Sequence, residues 1–128
     1  MGVVVAKRVN IGRVLLPPKL KERGNGMKSI LIDDLRQITA TVVCRDPISA
    51  FKALEESTFD EYIFDHDLGY TAPGSSGYDI LKWALAQGRI NLNARIILVT
   101  DNVIGRQRME NLLRDHGFSR NLFYWRIK

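Results

Sequence analysis

From residue 28 onward, short apolar runs alternate with stretches whose apolar residues recur at helical spacing. The runs at 28–32, 41–44, 61–65 and 95–99 have the length and β-branched content of strands. The nearly continuous apolar character from Arg95 to Val99 predicts a strand buried on both faces. Asp46-Pro47, an N-cap followed by proline at the first helical position, predicts a helix from Pro47 to Glu56 that buries Ile48, Phe51 and Leu54. Ser76 with Asp79 forms a capping-box pattern for a helix from Tyr78 to Gln87, which Gly88 stops. A last helix, Gly105 to His116, turns Met109, Leu112 and Leu113 inward and ends at Gly117. His116 suits the negative end of that helix, and Leu122 to Ile127 supplies a final strand.

Five strands with intervening helices and right-handed crossovers predict an α/β fold with a doubly wound, five-stranded parallel sheet. The expected order is flavodoxin-like, 2-1-3-4-5. Only Leu35 to Ala40 separate the first strand's end from the second strand, so the first crossover helix is shortened to a single turn at most. Pro17-Pro18 and Gly24-Asn25-Gly26 punctuate the chain into a leader, 1–26, and a domain, 27–128. Val3, Val5, Val9 and Ile11 could add an edge strand, although the domain is expected to fold from Met27 without the leader.

The length of 128 residues suits one domain with a real core. The single cysteine, Cys44, excludes an internal disulfide and reads as a small buried strand residue in a reducing compartment. No stretch approaches the roughly 20 apolar residues that span a bilayer, and Lys7 and Arg8 interrupt the first apolar segment before it reaches signal-peptide length. The expectation is a cytoplasmic protein with no membrane association. Charge sharpens the division of the chain: Lys7, Arg8, Arg13, Lys19, Lys21 and Arg23 oppose Glu22 alone and account for the whole net charge of +5. A leader of this kind offers weak polyanion contact, or is a solvated tail or an extended translation start ahead of Met27.

The chemistry concentrates where two apolar runs end. Asp33-Asp34 follows the first, and Asp65-His66-Asp67-Leu68-Gly69 closes the third. In the predicted order these strands are neighbours, so Asp33, Asp34 and Asp65 meet at the carboxyl edge, where open α/β sheets hold ligands. Crowded carboxylates raise one another's pKa unless a cation joins them. An all-oxygen set favours Mg²⁺ or Mn²⁺, which completes its shell with water and substrate phosphate. His66 and Asp67 are candidates for proton transfer, with Asp65 and Asp67 expected to face one way and His66 the other. Thr100, Asn102 and Arg106 follow the fourth strand as candidate phosphate donors, Asn102 serving equally well as a helix cap and Arg106 as a solvated charge. Tyr78 and Trp83 read as core, whereas Tyr70, in a loop, is the better stacking candidate.

Strand ends at Asp33-Asp34, Asp65 and Thr100 resemble response-regulator receiver domains, with Asp65 at the phosphoacceptor position. The fuller pattern is similar to a receiver-like family that processes cyclic phosphates. It comprises Leu31-Ile32-Asp33-Asp34 with Arg36, the Asp65-to-Gly69 run, Ser76-Gly77-Tyr78-Asp79, and Asn102 with Gly105, Arg106 and Met109, over about residues 27 to 115. The resemblance implies a metal-dependent phosphodiesterase acting on a cyclic phosphate or cyclic nucleotide, in nucleotide signalling, repair of nucleic-acid ends or phage-bacteria conflict. A receiver also carries a lysine at the end of its last strand, for which this chain offers Arg126 or Lys128. Two other functions remain open: a phosphoacceptor signalling domain, and a non-catalytic module that binds a nucleotide or a protein. The pattern specifies no protein partner.

Overall fold

A computed structural model describes residues 27–128; the proposed leader strand and the leader's polyanion contact lie outside the described residues. Strands β1 (Ser29–Ile32), β2 (Val42–Cys44), β3 (Glu61–Phe64) and β4 (Arg95–Leu98) form the parallel part of the sheet in the order β2-β1-β3-β4. Successive side chains leave opposite faces of a strand. Ile30, Ile32, Tyr62, Phe64, Ile96 and Leu98 join the main core, while Leu31, Ile63 and Ile97 belong to a smaller cluster with Ile38, Ala40 and Val99.

Three helices pack on the main-core face. Helix α1 (Pro47–Glu56) starts where Asp46 accepts a hydrogen bond from the Ser49 amide, as its N-cap pattern predicts. It is rotated from expectation: Pro47, Ala50 and Leu54 are buried, Phe51 is half-buried, and Ile48 is exposed. Small Ala50 on the inner face lets the helix approach the sheet, and the turn containing Ile48 faces outward. Helix α2 (Gly77–Ala86) has the full capping box between Ser76 and Asp79, and Gly88 follows it with a left-handed φ of 67°. Helix α3 (Val103–Asp115) starts two residues earlier than the sequence suggested, because Asn102 caps it by accepting from the Gly105 amide. Met109, Leu112 and Leu113 are buried as expected, and His116 Nδ1 lies 3.0 Å from the Leu112 carbonyl oxygen at the helix end.

The expectation of five parallel strands is incorrect. Phe118–Asn121 forms a strand of its own, β5, which turns through Leu122-Phe123 into β6 (Tyr124–Ile127). β6 inserts antiparallel between β4 and β5, giving six strands in the order β2-β1-β3-β4-β6-β5. Leu122 takes a φ of 60° where a tight hairpin usually places glycine or asparagine, so the turn carries no recognisable sequence signal. Nor is the sheet doubly wound among the described residues. The crossovers through α1, α2 and α3 all advance in one direction across the sheet, so all three helices share one face, and no helix joins β1 to β2. The shortened first crossover is therefore a loop. No helix of the described residues is long and apolar enough to cross a membrane.

Candidate functional site

The parallel ladder continues one residue past the strands. The Asp33 amide donates to the Cys44 carbonyl at 3.1 Å and the Asp65 amide to that of Ile32 at 2.9 Å. This fixes the two aspartates beside each other at the carboxyl edge of β1 and β3. Asp33, Asp34 and Asp65 each present an oxygen within 4.8 Å of the others, the grouping the sequence predicts. Gly77 secures the arrangement from the helix side. Its amide donates to the His66 carbonyl at 2.7 Å, and a Cβ at this position would lie 1.7 Å from the Asp65 carbonyl oxygen. Only glycine permits α2 to start so close to the Asp65 backbone.

The two buried carboxylates respond differently to this setting. Burial pushes the Asp65 carboxyl above its ordinary range, assisted by the neighbouring Asp33 charge, against hydrogen bonds from the Thr100 hydroxyl and the His66 amide. Burial acts on Asp33 in the same direction, but the amides of Leu35 and Arg36 and the Arg36 guanidinium together hold it below the ordinary range. Arg36 Nη1 lies 3.0 Å from Asp33 and 3.6 Å from Asp65, and its Nη2 lies 3.1 Å from the exposed Asp101. It is the cation of the cluster. The sequence motif contains Arg36 but assigns it no role; its position three residues after Asp33, in a loop too short for a helix, is the signal that marks it. The residues expected to provide a receiver's lysine do not reach this place. β6 runs antiparallel to β4, so Arg126 bonds the Asn93 carbonyl and the Lys128 amide bonds that of Gly117, both at the opposite edge.

His66 and Asp67 do not point apart as strand alternation suggests, because β3 ends at Phe64 and the chain turns. His66 Nδ1 lies 2.8 Å from Asp67 Oδ1, and the Asp67 carboxylate also accepts from Asn102 Nδ2 at 3.3 Å. The His66 hydrogen bond above all, with a lesser contribution from Asn102, draws Asp67 below the ordinary carboxylate range against the opposing effect of burial. The imidazole rests on Gly105, where a Cβ would approach the ring to 2.5 Å, and its Nε2 is buried without a hydrogen-bond partner. Asp67, by contrast, is largely exposed.

The three candidate phosphate donors are engaged with the protein itself. Thr100 is buried, bonds Asp65 and accepts from the Asn102 amide at 3.1 Å. Asn102 is both helix cap and Asp67 partner. Arg106 Nη2 donates to the carbonyls of Thr100 at 3.0 Å and Leu98 at 3.3 Å, bracing the end of β4. Arg45 does the same for the loop after β1, through the carbonyls of Asp33 and Arg36. The edge thus brings every predicted site residue into one neighbourhood, with the donors of Thr100, Asn102 and Arg106 directed inward. Trp83 packs edge-on against Phe51 at the core margin, half-buried Tyr78 lies under Arg108, and Tyr70 is exposed.

The sequence model of one protein family, described as cyclic-phosphate processing Receiver domain, matches residues 28–115. No curated protein and no solved structure matches the chain.

Proposed function

The chain belongs to the family of cyclic-phosphate processing receiver domains, and on that premise we propose that it hydrolyses a cyclic phosphodiester with the aid of Mg²⁺ or Mn²⁺. The observation that carries this reading is the convergence of Asp33, Asp34 and Asp65 within 4.8 Å. Three carboxylates with one guanidinium among them leave negative charge uncompensated, and an all-oxygen donor set suits a hard divalent cation. When bound there, the cation would polarise the phosphoryl group.

The protein's own groups do the rest. Arg36, reachable from solvent between Asp33 and Asp101, turns its donors toward the phosphate oxygens as negative charge builds on them. Asp67, ionised and exposed, accepts a proton from water as the water oxygen bonds to phosphorus and one ester P–O bond breaks. The leaving alkoxide takes up that proton, and the product is a phosphate monoester. His66 orients Asp67 through Nδ1; with Nε2 buried, it acts as a positioning residue in this scheme. Thr100, Asn102 and Arg106 hold Asp65, Asp67 and the end of β4 in place.

A screen of 2′,3′-cyclic and 3′,5′-cyclic mononucleotides and cyclic dinucleotides, with Mg²⁺ and Mn²⁺ and chromatographic detection of products, tests the proposal. Turnover is expected with at least one class and should fall by about 100-fold or more in Asp67→Asn. Tight binding without turnover would favour a sequestering module. If the protein neither binds nor hydrolyses any of them, the assignment fails, and labelling of Asp65 by acetyl phosphate becomes the test of a phosphoacceptor role.

A further inference from the structure

The three helices account for one face of the sheet only. Alternate residues of the parallel strands turn to the other face: Leu31 on β1, Ile63 on β3, and Ile97 with Val99 at β4. Val43, in register with Leu31, joins them from β2 and is 37% exposed. Parallel strands occur almost only where both faces are covered. Among the described residues, the apolar cover on this face comes from the loop after β1, through half-buried Ile38 and buried Ala40. That loop joins β1 to β2, whereas Ile63, Ile97 and Val99 belong to the strands on the far side of β1. Ile63 is nevertheless only 5% exposed. Its burial calls for a cover that six loop residues beside β2 do not provide.

We propose that the leader, residues 1–26, docks across this helix-free face and completes the core on that side. Its point of entry fits: Gly26 stands three residues before Ser29, at the amino end of a strand in the middle of the parallel ladder. Its length fits as well, because the face from Lys28 to Asp33 measures about 17 Å, which about six extended or about 12 helical residues span. Val9, Ile11, Val14, Leu15 and Leu16 supply apolar side chains for the contact. Charge is complementary along the same line. Asp33 and Asp65 continue the alternation of Leu31 and Ile63 one ladder step further, so the face ends in carboxylates, and the leader carries a net charge of +5. A segment seated here belongs to the packing of the domain, and it does so whether or not the acidic cluster hydrolyses a phosphodiester.

Limited trypsin digestion of the full chain, followed by mass spectrometry, tests the docking, because the leader offers Lys7, Arg8, Arg13, Lys19, Lys21 and Arg23 as cleavage sites. A docked leader is cut only when it opens, so cleavage at Arg13 and Lys19 should be slow in the native protein and independent of protein concentration. Leu15→Ala, on the leader, and Ile97→Thr, on the half-buried sheet face, should each speed that cleavage by about 10-fold or more. Both are mild enough to leave the helix-covered core intact, which circular dichroism checks. Native cleavage should also lower the Tm of the fragment that remains, since it uncovers the face. Rapid cleavage in the unaltered protein with no change in Tm overturns the proposal and leaves a solvated tail. Slow cleavage that Ile97→Thr does not alter places the leader elsewhere and overturns it too. Protection that fades on dilution, with a dimer in sedimentation, assigns the face to a second copy of the chain instead.

Discussion

Single residues in this protein respond to burial in ways that experiment can separate. The Cys44 thiol is buried and, through desolvation above all, pushed up to about 12, with Sγ 3.6 Å from the Ser49 carbonyl. Its reactive thiolate is therefore absent at pH 8. Iodoacetamide at that pH should leave the native protein unmodified and add one label per chain in denaturant, followed by mass spectrometry. Asp33 and Asp65 should behave oppositely. A carboxyl raised above its unfolded value weakens the fold once ionised, and this cost grows as pH rises from the unfolded value through the folded one. One held below its unfolded value contributes stability at neutral pH and loses it as pH falls through the folded value. Without metal at pH 7, Asp65→Asn should thus gain stability, while Asp33→Asn should lose about 2 kcal/mol with its charged hydrogen bonds. Urea denaturation in the presence of EDTA measures both.

At the level of elements, the fit of α2 against the end of β3 has the most to lose from a small change. Gly77→Ala puts a methyl group into the Asp65 carbonyl, a clash with backbone that no rotamer change relieves. A loss of about 1–3 kcal/mol is expected, along with weaker Mn²⁺ binding because Asp65 must shift; denaturation and metal titration of the same variant would show both. Strands β1 to β4 and all three helices were legible in the sequence because apolar periodicity and caps such as Asp46-Pro47 and Ser76-Asp79 are local signals. Of the terminal hairpin only β6 was legible, within the strand expected at Leu122 to Ile127, whereas β5 and the turn were not. Phe118-Ser119-Arg120-Asn121 lacks apolar alternation, and its turn relies on Leu122 at positive φ. The meeting of Asp33, Asp34 and Asp65 could be anticipated from strand order, whereas the inward turn of Arg106 and the burial of His66 Nε2 depend on tertiary contacts that spacing does not encode.

For the molecule as a whole, the proposed cation would act as a ligand of the native state alone, since unfolding separates β1 from β3 and disperses the carboxylates. At a Mn²⁺ concentration about 100 times its Kd, the native state should gain about 2.7 kcal/mol, read as a rise in Tm on addition of Mn²⁺. Replacing Asp33, Asp34 and Asp65 together with asparagine should abolish the rise. Equal shifts in the two proteins would remove the metal from the proposal while leaving the family assignment intact.

The insertion of β6 between β4 and β5 also dictates an order of events during synthesis. A ribosome releases Phe118–Asn121 before Tyr124–Ile127, yet β5 has no neighbour in the sheet except β6. The strand made first must wait for the strand made second, and the nascent domain can hold β1 to β4 and its three helices while its far edge stays open. Closure comes when Trp125, buried and aligned with Ile96, enters the core from the last strand of the sheet to be synthesised. Until then β4 exposes an unpaired edge, the kind of surface on which neighbouring nascent chains associate.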